Sequence, residues 1–131
     1  MPLTKATADY FKILASQNIK DYTRSLAHLP LSEFRKKSGD FKSLAEPEVL
    51  TDVKDSILLT PEGNQIKLRI YNGSNNTIKP TMVFFPGGGF IVDLSEVHYG
   101  PCSIMAKVSG YQVILVNTRL APENPYPAGL N

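Results

Sequence analysis

Hydrophobic positions recur along this chain with three different periods, and each period predicts a different kind of element. Phe11, Leu14, Ala15, Ile19, Tyr22 and Leu26 return at three- and four-residue steps, with polar Asn18 in the same stripe. That spacing predicts an amphipathic helix over about 7–28. Leu29-Pro30 stops it, because proline cannot continue the hydrogen-bond ladder. Ser32 is placed to cap a second short helix through about Lys37, which Ser38-Gly39-Asp40 would end.

After Pro47 the period shortens. Val53, Ile57, Leu58 and Leu59 suggest a strand, and Thr60-Pro61-Glu62-Gly63-Asn64 is a cluster of turn residues. Ile66, Leu68 and Ile70 then alternate with Lys67, Arg69 and Tyr71, as in a half-exposed strand. The two runs predict an antiparallel hairpin, followed by a polar loop from Asn72 to Lys79.

The third pattern is continuous. Thr81–Phe85 and Val113–Val116 are unbroken apolar runs, as expected of strands buried on both faces of a parallel sheet. Ile104, Met105 and Val108 mark a helix between them, which Gly110 can end. Strand, glycine loop, helix and strand predict a right-handed crossover unit. The expected fold is therefore α/β: a helical leader over 1–46, then a core over 47–131 made of an antiparallel hairpin and one βαβ unit.

Composition narrows the function classes. The 131 residues suit one domain, and 42% hydrophobic with 20% charged residues is ordinary for a globular protein. Fourteen basic and twelve acidic residues leave +2, which argues against nucleic acid or an anionic membrane as partner. Lys36 and Lys37, beside Arg35, read as a solvated helix face. Cys102 is the single cysteine, so no internal disulfide forms. No segment has the length of an apolar span, and the N-terminus lacks the apolar run of a secretory signal. A soluble, cytoplasmic protein is expected. One cysteine and two distant histidines, His28 and His98, do not make a structural zinc site, and no cofactor is expected.

The candidate chemistry sits in Pro86-Gly87-Gly88-Gly89-Phe90, directly after an apolar strand. Glycines permit positive φ and let a ligand approach backbone N–H groups, so the loop is suited to an anion. A phosphate loop would need Gly-Lys-Ser/Thr, but Phe90-Ile91-Val92 follows; the spacing of a dinucleotide fingerprint is also missing. An oxyanion hole and a plain connecting turn remain, and the glycines alone do not choose between them.

More of the chain bears on that choice. The loop is followed in order by Glu96, His98, Cys102, Gly110 and the run Arg119-Leu120-Ala121-Pro122-Glu123-Asn124-Pro125-Tyr126-Pro127-Ala128. This arrangement resembles the hormone-sensitive-lipase-like esterases, which have His-Gly-Gly-Gly-Phe after strand 3 and Asp-Tyr-Arg-Leu-Ala-Pro-Glu-His-Pro-Phe-Pro-Ala after the next strand. The 55–71 hairpin and the helical leader, a cap segment in that family, are similar too. The resemblance implies that Gly88 and Gly89 supply the N–H donors of an oxyanion hole, with Pro86, Gly87 and Phe90 supporting the loop.

Several positions depart from the family pattern. Pro86 stands in place of histidine, so the strand is expected to stop at Phe85 and the loop to lose the hydrogen bonds of an imidazole. Asp93 stands where glycine is usual and is expected to face away from the anion site. Asn117-Thr118 replaces Asp-Tyr, and Asn124 replaces histidine. The largest departure is that no Gly-x-Ser-x-Gly occurs in these residues. The implied protein is thus the front part of a carboxylic-ester hydrolase, with the oxyanion donors but no serine, acid and histidine triad, and inactive alone. A small-molecule ester would be its substrate only if the missing part were supplied. The alternatives are a non-catalytic module binding an acyl ligand or a partner chain, or a remnant without function.

Two rival catalytic readings carry less. His98 and Cys102 lie four apart on one expected helix face, the spacing of a Cys–His dyad, yet a cysteine there also serves as a small buried residue. His98 reads structurally as the start of its helix, and His28 as the end of the first helix, where the dipole favours a cation. Arg119 and Glu123 are expected to pair across the Leu-Ala-Pro turn as a structural contact.

Overall fold

A computed structural model describes residues 5, 8, 9, 12, 28–39, 52–94 and 96–130. The chain divides into two compact units, Met1–Phe34 and Arg35–Asn131. In the first, Lys5, Ala8, Asp9 and Lys12 are helical. Asp9 accepts from Lys5 Nζ at 3.0 Å and from Lys12 Nζ at 3.4 Å, exposed pairs one turn apart. Of the rest of the helix expected over 7–28, His28 lies in a turn, and the remainder, with its apolar stripe, lies outside the described residues.

The division falls inside helix α1, Leu31–Gly39. Its ladder starts at the Pro30 carbonyl, which accepts the Phe34 N–H at 2.9 Å. Ser32 therefore lies in the first turn and is not the cap expected from the sequence. Glu33 in the first turn and Lys36 and Lys37 in the last suit the helix dipole.

The second unit is built on a four-stranded mixed sheet in the order β1-β2-β4-β3. Strands β1 (Val53–Leu59) and β2 (Gln65–Asn72) form the expected antiparallel hairpin, with Val53 opposite Tyr71 and Leu59 opposite Gln65. The turn between them is closed by Gly63 N–H to the Thr60 carbonyl at 2.9 Å, with Gly63 at φ 80°. The positive φ explains the glycine. On its other side β2 pairs antiparallel with β4 (Gln112–Asn117), placing Tyr71 opposite Val113. Strand β3 (Thr81–Phe84) pairs parallel with β4, its one partner among the described residues, placing Met82 opposite Val113 and Phe84 opposite Leu115.

Helix α2, Glu96–Ser109, connects β3 to β4 and packs on β2 and β4. Gly110, at φ 70°, ends it by donating to the Ala106 carbonyl at 2.9 Å, as the sequence predicts. Pro101 stands inside α2, where sequence rules expect a break. It lies close to the start of the helix, so a single ladder bond is forgone.

The core forms where α2 meets one face of the sheet. Tyr71, Cys102, Ala106, Val113 and Leu115 are buried, with Phe84, Leu94, Tyr99 and Met105 packed around them. Each fully buried aliphatic side chain here contributes about 1.5–3 kcal/mol. At the rim, Arg69 pairs with Asp55 and lies 4.7 Å from the centre of the Tyr99 ring. The loop after β2 runs so close to the end of α2 that a Cβ on Gly73 would overlap the Ala106 carbonyl.

β3 differs from its sequence expectation in burial. Its continuous apolar run predicts a strand covered on both faces, yet Val83 is 52% exposed and Met82 37%. The reason is topological: among the described residues β3 is an edge with one neighbour, and α2 covers one face of the sheet. The strand also ends at Phe84, one residue before the end expected from Pro86.

Candidate functional site

The loop leaving β3 combines a strained backbone with open amides. Gly88 has φ 139°, Gly89 60° and Phe90 58°. Gly87 is not among the positive-φ residues. The strained stretch is thus Gly88–Phe90, shifted by one residue from the three glycines. Its last member, Phe90, to which the resemblance gave a supporting role, is a bulky side chain in the left-handed region, a conformation the sequence did not announce.

A compact turn holds the loop. The Gly88 carbonyl accepts the Ile91 N–H at 3.1 Å and the Val92 N–H at 3.0 Å. The Gly88 carbonyl and the Gly89 N–H share one planar trans peptide, so they point in opposite directions. Binding the carbonyl into the turn therefore aims the Gly89 N–H out of it. Among the described residues neither the Gly88 nor the Gly89 N–H has a hydrogen-bond acceptor. The glycine loop borders a cleft of about 410 Å³, whose other walls include Asn117, Thr118, Leu120 and Gly129. This is the region beyond the carboxyl ends of β3 and β4, where open α/β sheets bind ligands.

The residues after β4 form the loop's backing. The Phe90 carbonyl accepts the Ala121 N–H at 2.7 Å. Gly129 lies so near the Phe90 ring that an added Cβ would come within 2.9 Å of it. Asn124 donates to the Leu120 carbonyl through its backbone N–H at 2.9 Å and its side chain at 3.3 Å. The Ala121-Pro122 and Tyr126-Pro127 peptides are cis.

Arg35 reaches into this backing. Its Nε donates to the Ile91 carbonyl at 2.9 Å and Nη2 to the Ala121 carbonyl at 2.8 Å. Nη1 and Nη2 each donate to one oxygen of Glu123 at 2.7 Å. These hydrogen bonds drive the Glu123 carboxyl down to about 2. The sequence reading of Glu123 is corrected here: its carboxylate takes the Arg35 guanidinium, 88 positions away, instead of pairing with Arg119 across the turn. Arg35 adjoins the Lys36-Lys37 doublet that the sequence assigns to a solvated face, yet its own side chain is only 24% exposed. No local pattern could reveal this partner.

Asp93 borders a second groove, with Arg69, Tyr99 and Asn117, and not the cleft of the glycine loop. Its Oδ1 accepts the Leu94 N–H at 2.7 Å and Asn117 Nδ2 at 3.1 Å. Cys102 is fully buried, and burial pushes its thiol up to about 11. A buried neutral thiol is a poor nucleophile, which removes the chemistry a Cys–His dyad would need. Ser103 and Ser109 donate their hydroxyls to the carbonyls of Gly100 and Met105. No helix among the described residues is long and apolar enough to cross a membrane.

An antiparallel hairpin joined to a parallel β3-α2-β4 unit, with a glycine loop at the end of β3, defines the class as an α/β-hydrolase fold. Comparison with known proteins gives the family. Residues 82–131 match the family model described as alpha/beta hydrolase fold. A carboxylic ester hydrolase of Mycobacterium tuberculosis, LipN, is 32% identical over 89 residues, 68% of this chain and 23% of that protein. Lipase 2 of a Moraxella species is 29% identical over 127 residues, 82% of this chain and 29% of that protein. The solved ester hydrolase EH1AB1 from the metagenome of Lake Arreo superposes with a TM-score of 0.74 at 29% identity, covering 98% of this chain and 42% of that one. Over residues 82–131 the chain matches the α/β-hydrolase family, and across most of its length it is similar to carboxylic ester hydrolases and lipases. The matched part is less than a third of the length of these two curated relatives.

Proposed function

We propose that residues 86–90 are the oxyanion loop of a carboxylic-ester hydrolase, with the Gly88 and Gly89 N–H groups as donors, and that these 131 residues turn over no ester by themselves. The observation that carries the reading is the pair of acceptor-free amides beside a cleft at the end of β3. The relatives' names supply the chemistry, carboxylic ester hydrolase and lipase. The Lake Arreo hydrolase was solved with a bipyridine phosphonate derivative, and phosphonate has the tetrahedral shape of an acyl-transfer intermediate.

In this reading a serine hydroxyl, activated by histidine and an acid, attacks the acyl carbon. The carbonyl oxygen gains negative charge and moves toward the two amides. Their positive-φ backbone, open to glycine, is set before substrate arrives, so little reorganisation opposes the reaction. No activated hydroxyl is found in these residues, so the triad has to come from other sequence. The substrate is a small ester, taken only when that sequence is supplied. A cap over 1–46, a core over 47–131 and a reducing, cytoplasmic setting for the unpaired Cys102 belong to the same reading.

The test is hydrolysis of nitrophenyl acetate by the purified chain. The expected rate is that of buffer. Turnover is expected once a second polypeptide supplies a Gly-x-Ser-x-Gly turn with its acid and histidine. Cleavage by the chain alone overturns the claim of inactivity; acyl-ligand binding without turnover by the assembled pair supports a binding module instead.

A further inference from the structure

We infer that Arg35 is the positioning residue of the glycine loop, its guanidinium bracing the Ile91 carbonyl against the Ala121 carbonyl and the Glu123 carboxylate. Its effect on turnover rests on the oxyanion reading of Gly88 and Gly89; its effect on loop geometry does not.

A chain of bonds connects the Arg35 guanidinium to the glycine loop. Arg35 Nε holds the Ile91 carbonyl at 2.9 Å. The N–H of the same residue donates to the Gly88 carbonyl at 3.1 Å. That carbonyl shares its peptide plane with the Gly89 N–H, so fixing Ile91 fixes the direction of one donor. Nη2 and the Glu123 carboxylate tie the other end of the guanidinium to the turn after β4. The Ala121 N–H closes the circuit on the Phe90 carbonyl at 2.7 Å. Two segments that meet only through tertiary structure, 88–92 and 121–123, are thus fastened on both sides of Phe90.

The arrangement differs from a surface ion pair. Glu123 is 54% exposed, and an exposed pair alone contributes little. The specificity lies in the fork: one planar group serves two carbonyls and a bidentate carboxylate at fixed angles. A lysine ammonium keeps the charge but cannot span these four acceptors. Sequence position conceals the role, since Arg35 adjoins Lys36 and Lys37 on α1.

Hydrogen–deuterium exchange read by mass spectrometry tests the inference in the 131-residue chain. In Arg35→Lys, exchange over 86–94 and at Ala121 is expected to rise about tenfold while the 53–72 hairpin keeps its rate. The charge-swapped double variant Arg35→Glu with Glu123→Arg is expected to give no rescue, because glutamate cannot donate to the two carbonyls. In the assembled hydrolase, Arg35→Lys is expected to lower kcat about tenfold with KM changed less than about twofold, since misaimed donors affect the transition state more than binding. Unchanged exchange over 86–94, equal loosening of hairpin and loop, or full rescue by the charge swap would each overturn the inference. Should Arg35→Lys fail to fold, Glu123→Gln is read in the same way: a smaller rise confined to 86–94 and 117–130 supports the brace, and a uniform rise overturns it. Lack of turnover by the wild-type assembly would defeat the oxyanion reading and leave the exchange result to decide the brace.

Discussion

Gly88 lies beneath Val92, so that a Cβ built on it would come 3.0 Å from the Val92 carbonyl oxygen and 3.2 Å from its Cβ. Gly88→Ala therefore meets both a contact and a φ of 139° that L side chains avoid. In an assembled hydrolase it should lower kcat by about 100–1000-fold, the range for loss of one oxyanion donor. Gly87→Ala should leave kcat within about threefold, because a Cβ there meets nothing within 4 Å and the residue lacks a positive φ. Equal losses in steady-state kinetics would show that the loop works by general disorder and not by aim.

Pro86 follows a strand that has already ended at Phe84. Its ring costs the sheet nothing, but it offers the loop no imidazole hydrogen bond. Pro86→His in the assembled hydrolase should raise kcat severalfold with little change in KM. No change in kcat would count against a role for this position in ordering the loop.

Gly73 is the tightest backbone crossing among the described glycines. An added Cβ would overlap the Ala106 carbonyl and come 2.7 Å from the Tyr111 carbonyl oxygen. Gly73→Ala should destabilise the chain by about 3 kcal/mol, the upper range for overpacking. Gly63→Ala, with open space around it and φ 80°, should cost only about 1–2 kcal/mol of left-handed strain. Urea denaturation midpoints check both, and a reversed order would contradict the crossing.

Stability should depend on pH at both ends. Glu123 is held by Arg35 and Asp55 by Arg69, so both carboxyls titrate lower in the folded chain. Their contribution is complete above the unfolded carboxyl range and is lost as pH falls, for Glu123 toward about 2. On the alkaline side, burial raises the Cys102 thiol from 9.0 to about 11 and the Tyr71 phenol from 10.0 to about 12. The unfolded chain releases these protons first, so stability falls above about pH 9. Melting temperatures in pH steps should show both limbs, with Glu123→Gln flattening the acidic one and Cys102→Ala the alkaline one.

The open edge of β3 should govern solution behaviour. Val83 is 52% exposed on a strand with one neighbour among the described residues, and Phe85, just beyond its end, is 67% exposed. Such an edge invites pairing between chains. The purified chain should bind a hydrophobic dye and aggregate with concentration, and Val83→Lys should reduce both. A sharp cooperative melt without dye uptake in the wild type would defeat this.

From Leu31 onward, the order of the elements and their types were legible in the sequence because they depend on local periods. The alternation 66–71 specified a strand, Thr60–Asn64 a turn, and Gly110 a helix stop. The glycine run also marked the loop that borders a cleft at the end of β3, and together with Leu120-Ala121-Pro122-Glu123 it pointed to the relatives. Less was legible where a residue's partner is distant. Nothing near Arg35 or Glu123 announces a bond across 88 positions, and nothing near Gly73 announces the end of α2. Burial of β3 was misjudged for the same reason: an apolar run states what a strand can bury, while its neighbours determine how much is buried. Local chemistry thus determined which segments form strands, helices and the glycine loop. Tertiary structure alone decided which strand lies at the edge, which guanidinium meets Ile91, Ala121 and Glu123, and where the Gly88 carbonyl is bound, because these depend on distances between segments that the linear order leaves free.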